Sequence, residues 1–267
     1  MPELSIAARF CGPPGAANGG YLAGRLSGFA TTTVRIRLHA PVPVETPLQV
    51  HEGAEGLELR QGERLLATAT PTELVLRVPR APDYVSALAA SRRFVAFGRH
   101  AFPNCFVCGD ARARGDGLRI FAGATTDNAM VAAPWVPDDS LAQGNGRVAP
   151  EFMWAALDCP GYFAARSDGV PMLLGECTAH IDRLVHIDEP CVVIGWRIAI
   201  AGRKYEVGTA LFDEDGELCG RARALWIEPR AGLTRAAGEA GAIGAIGASG
   251  APGASGASGA SGKVVSP

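Results

Sequence analysis

The 267-residue chain holds no run of about 18 apolar residues, the length a membrane-crossing helix needs, so no membrane partner is expected. It has no excess of one charge. Its 25 Lys and Arg stand against 27 Asp and Glu, and a net charge of −2 makes no field to attract nucleic acid or an anionic lipid surface. The opening MPELSIAARFCGPPG lacks a basic stretch followed by an apolar core, so no export signal is read. An even cysteine framework is also missing. Seven cysteines at irregular spacing make a poor disulfide set, and without an export signal they point to a reducing, cytoplasmic setting. No G-x-S-x-G elbow or H-E-x-x-H pair occurs, and the five histidines are scattered and begin no triad.

What is present is enough apolar material, 48% of residues, for a sizeable core. From Gly238 to Gly262 glycine recurs at every third position, the period of collagen, but only Pro252 supplies an imino acid there. Residues 231–267 are therefore expected to form a disordered Gly-Ala-Ser low-complexity tail. The folded body is expected within residues 1–230.

That body contains an internal repeat. RLHAPVPVETPLQV (Arg37 to Val50) aligns without a gap to HIDRLVHIDEPCVV (His180 to Val193). Each segment ends an alternating strand, turns at an acid (Glu45, Asp188), reaches a proline (Pro47, Pro190) and starts another apolar strand. Downstream, GLELRQGERLLATAT and YEVGTALFDEDGELCGRARALWIE each read as strand, turn, strand. The division that follows is a repeat at 1–80, a connector at 81–104 with a short helix around Ser86 to Arg93, and a second repeat at 105–230.

Each repeat should place one helix before a meander of antiparallel strands. In the first, AANGGYLAGRLS puts Leu22, Leu26 and Phe29 on one face. Gly19 and Gly20 open it, leaving backbone N–H groups approachable at a helix N-terminus. In the second, APEFMWAALDCPGYFAAR has Pro150 at a first helical position and a run of six apolar residues, Phe152 to Leu157, with Pro160 and Gly161 to kink or end it. Asp158 follows that run. A carboxylate there is costly to bury unless paired or used; the bland alternative is that the kink exposes it or that it caps a turn. Gly19 to Ser27 and Pro150 to Asp158 both span eight positions. The first helix thus has the glycines but no acid, and the second has the acid but a proline where a donor would be needed.

These helix-plus-meander repeats resemble the hotdog fold, a central helix wrapped by an antiparallel sheet. Many hotdog acyl-CoA thioesterases carry His-Gly-Gly, six residues, then Asp or Glu; this chain shows Asn18-Gly19-Gly20, six residues, Ser27, and Ala149-Pro150-Glu151, six residues, Asp158. CFVCGDARARGDGLRIF (Cys105 to Phe121) is similar to the opening of one thioesterase branch. The resemblance implies an α+β protein of two fused hotdog repeats that hydrolyses acyl-CoA or acyl-carrier-protein thioesters. It implies a site shared between the repeats, with Gly19 and Gly20 as donors and Asp158 as base or nucleophile. Asn18, standing where the family has His, would hold the substrate carbonyl or the loop. No cofactor is implied beyond coenzyme A as part of the substrate, and a homo-oligomer is compatible with the resemblance. A hydratase would want a His near the helix starts, and none is there; loss of that His leaves a non-catalytic acyl-CoA-binding or sensor protein as the alternative.

Trp154, which shares a helix with Asp158, and Tyr21, next to the glycines, are the candidates for substrate binding. Cys105-x-x-Cys108 offers two metal ligands where a structural zinc site wants four. Cys159, Cys177, Cys191 and Cys219 stand isolated and His100 is the only nearby imidazole, so no metal is expected. His180 is expected to face solvent or hydrogen-bond along its strand. Arg92, Arg93, Arg112, Arg114, Arg203 and Lys204 could grip phosphates, yet each also suits an ordinary loop.

Overall fold

In a computed structural model, which describes residues 2–165 and 171–229, the first repeat runs β1 (Glu3–Leu4), α1 (Gly19–Ser27), β2 (Val34–Leu38), β3 (Leu48–Gly53), β4 (Gly56–Gln61) and β5 (Arg64–Pro71). A connecting helix, α2 (Tyr84–Ser91), leads to β6 (Gly123–Ala124), β7 (Val131–Trp135), β8 (Ala142–Gln143) and β9 (Arg147–Val148). Then come α3 (Pro150–Ala156), α4 (Cys159–Ala165), β10 (Leu173–Ile181), β11 (Cys191–Ala201), β12 (Lys204–Phe212) and β13 (Leu218–Ile227). The glycine-periodic tail lies outside the described residues.

Eleven strands join one antiparallel sheet in the order β1-β3-β4-β5-β2-β10-β13-β12-β11-β7-β6. The centre of that order is a palindrome: β3-β4-β5-β2 on one side is matched by β10-β13-β12-β11 on the other. The seam pairs Arg37 with Glu176, Ile36 with Cys177 and Arg35 with Thr178. The gapless repeat holds residue by residue. β3 begins at Leu48 and β11 at Cys191, and Glu45 and Asp188 both adopt left-handed backbone, at φ 54° and 63°. These are two fused hotdog repeats related by an internal pseudo-dyad.

Side-chain alternation decides which face is covered. Val34 and Ile36 are buried while Arg35 and Arg37 are exposed. Along β11, Cys191 and Val193 enter the main core with α1, α3 and α4, whereas Val192 and Ile194 meet Ala87 and Ala90 of α2 on the opposite face. The connector helix therefore covers the outside of the second repeat's sheet. It begins two residues before the expected Ser86, because Asp83 Oδ1 accepts the Ser86 amide at 2.7 Å and caps it there.

Two local expectations change. α1 stops at Ser27, so Phe29 leaves the apolar face of Leu22 and Leu26 and is 39% exposed. The second helix is kinked by Pro160 as expected, but it resumes rather than ends: the break falls at Leu157–Asp158, where Pro160 has no N–H to reach the Ala156 carbonyl, and Pro160 and Gly161 lie inside α4. The Leu157 carbonyl instead accepts a hydrogen bond from Thr209 Oγ1 at 2.7 Å. Phe152 to Leu157 are buried throughout, as the apolar run requires.

Candidate functional site

α1 and α3 cross the pseudo-dyad antiparallel and in backbone contact, and glycine is what allows it. A Cβ on Gly20 would lie 2.5 Å from Asp158 Cβ and 2.8 Å from the Trp154 carbonyl oxygen; one on Gly24 would lie 2.6 Å from Glu151 Cα. At this contact Gly20 N–H donates to Asp158 Oδ2 at 3.1 Å. Asn18 Nδ2 donates to the same oxygen at 2.8 Å, while Asn18 Oδ1 accepts the Tyr21 amide at 2.9 Å and caps α1. Both ends of the Asn18 amide are therefore committed, one to the helix and one to the carboxylate. Gly19 is partly exposed, and its N–H has no partner among the described residues.

Asp158 is 3% exposed, so the kink does not expose it. Its Oδ1 is buried with no hydrogen-bond partner among the described residues. Burial pushes its pKa up to about 7; the Gly20 amide opposes this, the nearby Cys105 charge adds to it, and Asn18 opposes it. A helix N-terminus from one repeat thus meets a perturbed carboxylate from the other.

No family model and no curated protein matches the chain. Solved structures do. A putative thioesterase II from Thermobifida fusca YX superposes with a TM-score of 0.53 at 16% identity, over 85% of this chain and 92% of that one. The tesB protein of Mycobacterium avium subs paratuberculosis gives 0.52 at 15% identity, over 80% and 88%. The chain shares the fold of these two proteins. A third structure, a thioesterase superfamily protein, aligns at 17% identity with a TM-score of 0.38 over 42% of this chain and 54% of that one, so the chain spans about half its length.

In this double hotdog, Tyr21 is 2% exposed and turns into an aromatic cluster, stacked on Phe10 at 4.2 Å with Phe106 and Phe152 close by. Its hydroxyl accepts a hydrogen bond from Arg25. Trp154 is buried beneath Gly20 and Gly24. On the mirror side of the pseudo-dyad, Ser27 Oγ donates to its own helix at the Gly24 carbonyl, and Pro150 has no N–H to offer.

The structure also gathers residues that the sequence left apart. Cys159, isolated in the sequence reading, lies with Cys105 and Cys108 so that the three buried sulfurs fall within 4.8 Å of one another. The Cys105 and Cys159 sulfurs are 3.7 Å apart. Asn18 Nδ2 is 4.0 Å from Cys105 Sγ, so this cluster abuts the carboxylate site. The signal that was available is adjacency: Cys159 directly follows Asp158. Of the cations considered for phosphate, Arg112 is buried and donates to the carbonyls of Asn104, Asp116 and Arg9, which makes it the brace of the 104–116 loop. His180 is half-exposed beside Asp182 and stands apart from the site.

Proposed function

We propose that the chain is a thioester hydrolase acting on acyl-CoA or an acyl-carrier-protein conjugate, with coenzyme A entering only as part of the substrate. The observation that carries this reading is the contact across the pseudo-dyad between the Asn18-Gly19-Gly20 start of α1 and the buried carboxylate of Asp158. Neither repeat holds both parts. The fold shared with the putative thioesterase II of Thermobifida fusca supports the same reaction class.

In the proposed chemistry the substrate carbonyl oxygen faces the α1 N-terminus, where the Gly19 amide is the uncommitted donor and Gly20 joins it as Asp158 turns. Such a donor lowers the barrier by roughly 3 kcal/mol where negative charge develops. Asp158 either takes a proton from water, whose oxygen bonds to the carbonyl carbon, or attacks that carbon itself to give a mixed anhydride that water then hydrolyses, freeing the acid and restoring the carboxylate. The C–S bond breaks, and the thiolate leaves and is protonated. Asn18, fixed at both ends, orients Asp158. Trp154 and Tyr21 shape the apolar side of the site.

The test is release of free coenzyme A from a panel of acyl-CoAs by wild type and Asp158→Asn. Loss of a positioned base predicts a fall of about 10²- to 10⁴-fold; undiminished turnover would reject the role. A second reading, an acyl-CoA-binding or sensor protein, is favoured by the near-complete burial of Asp158 and by the commitment of the Gly20 amide to it. Saturable acyl-CoA binding by wild type without release of coenzyme A would select it.

A further inference from the structure

We infer that Cys105, Cys108 and Cys159 form a binding site for one thiophilic metal ion, Zn²⁺ or Cu⁺, set directly beside the Gly20–Asp158 contact. The sequence reading expects no metal because it finds only two ligands; the fold supplies a third. All three sulfurs are buried and lie within 4.8 Å of one another. The 3.7 Å between Cys105 and Cys159 sulfurs matches the separation of about 3.8 Å that two thiolates take around a tetrahedral ion at Zn–S distances of about 2.3 Å. An all-sulfur set favours soft, closed-shell ions.

The 105–109 segment is a tight C-x-x-C-G turn in which the Gly109 N–H donates to the Cys105 carbonyl at 2.9 Å. That turn closes only around glycine: a Cβ on Gly109 would lie 2.5 Å from the carbonyl oxygens of both Cys105 and Pro103. Arg112 holds the turn from outside through the Asn104 carbonyl at 2.8 Å. His100 has a distinct part. Its Nδ1 accepts the Phe102 amide at 2.9 Å, so the neutral ring carries its proton on Nε2, which lies 3.2 Å from Cys108 Sγ. His100 is therefore a donor to the thiolate rather than a ligand to the ion. Asn18 Nδ2, 4.0 Å from Cys105 Sγ, adds a second N–H on the opposite member of the pair.

Bound there, the ion ties the 105–108 turn to the start of α4 across 54 residues of sequence and fixes the residue immediately preceding Cys159, which is Asp158. Three thiolates around Zn²⁺ leave one net negative charge, which the His100 and Asn18 N–H groups offset.

The experiment uses the full chain, purified under reductant from cultures supplemented with Zn²⁺ or Cu⁺, with metal content per chain measured by mass spectrometry after dialysis. Expected are one ion per chain in wild type and in Cys191→Ser, its loss in Cys105→Ser, Cys108→Ser and Cys159→Ser, and a 10- to 100-fold weaker affinity in His100→Ala. Co²⁺ substitution should give a thiolate-to-metal charge-transfer absorption. Wild type without a stoichiometric ion overturns the inference whether or not the variants fold. So does an ion retained by all three serine variants, or a disulfide within the cluster that persists under reductant.

Discussion

The contact between α1 and α3 can be tested without touching a reactive group, by replacing Gly24 with alanine. A Cβ at this position meets Glu151 Cα at 2.6 Å, Trp154 Cβ at 2.9 Å and Glu151 Cβ at 3.1 Å. The tightest of these neighbours is backbone, so no rotamer change relieves it. Reaching the 3.4 Å of ordinary contact needs a shift of at least 0.8 Å between the helices. Overpacking of this kind costs up to about 3 kcal/mol. Alanine's better helix propensity returns about 1 kcal/mol. The net expectation is a loss of about 2 kcal/mol, which for a body of this size lowers Tm by about 4–8 °C. The same shift stretches the 3.1 Å Gly20–Asp158 hydrogen bond beyond useful range, so thioester turnover should fall as well. Gly28→Ala is the control: Gly28 has right-handed backbone at φ −63°, and a Cβ there meets nothing closer than 3.4 Å. Thermal and urea unfolding followed by circular dichroism read both variants. A Gly24→Ala protein as stable as wild type, with Gly28→Ala also unchanged, would refute the close crossing of the two helices.

Two other predictions concern polar groups. Asn18→Ala removes the α1 cap, worth about 1 kcal/mol, together with the side-chain donor to Asp158, worth about 1.5–3 kcal/mol. Asn18→Ser keeps a capping oxygen and should recover only the first part in urea unfolding; a serine variant as stable as wild type would show that the Asp158 bond contributes nothing. Asp213 is buried, which by itself would raise its pKa, but the Glu217 and Asp215 amides and Arg183 hold it below the usual carboxylate value. A depressed folded pKa stabilises above the unfolded value of about 4, and that stabilisation is lost as pH falls through the folded value. Asp213→Asn should therefore cost about 1–3 kcal/mol near neutral pH and progressively less below about pH 4; a penalty independent of pH would count against the charge.

The repeat was legible because it is written in backbone chemistry. Glu45 and Asp188 occupy matching left-handed turns, and the strands after them start in register, so a gapless alignment found the repeat, and the resemblance to hotdog proteins supplied the fold. The meeting of Gly20 with Asp158 was implied by the resemblance to hotdog thioesterases, in which the helix start of one unit faces the carboxylate of the other; the equal spacing by itself marked the two helices only as complementary. What was illegible depended on side-chain direction. The position of Tyr21 beside the glycines does not reveal that its ring turns toward Phe10 and Phe152. Arg112 looks like a free loop cation until its guanidinium is found closing onto carbonyls. Cys159 meets Cys105 across 54 residues of sequence, and the spacing of the cysteines does not announce that contact.

The seam between β2 and β10 joins halves that belong to one polypeptide. Two separate subunits would share a composite site only while they remain associated, and would lose it on dilution. Here the connection between the halves holds them at an effective concentration of the order of millimolar whatever the amount of protein. Occupancy of the paired arrangement is thus independent of how much of the chain is present.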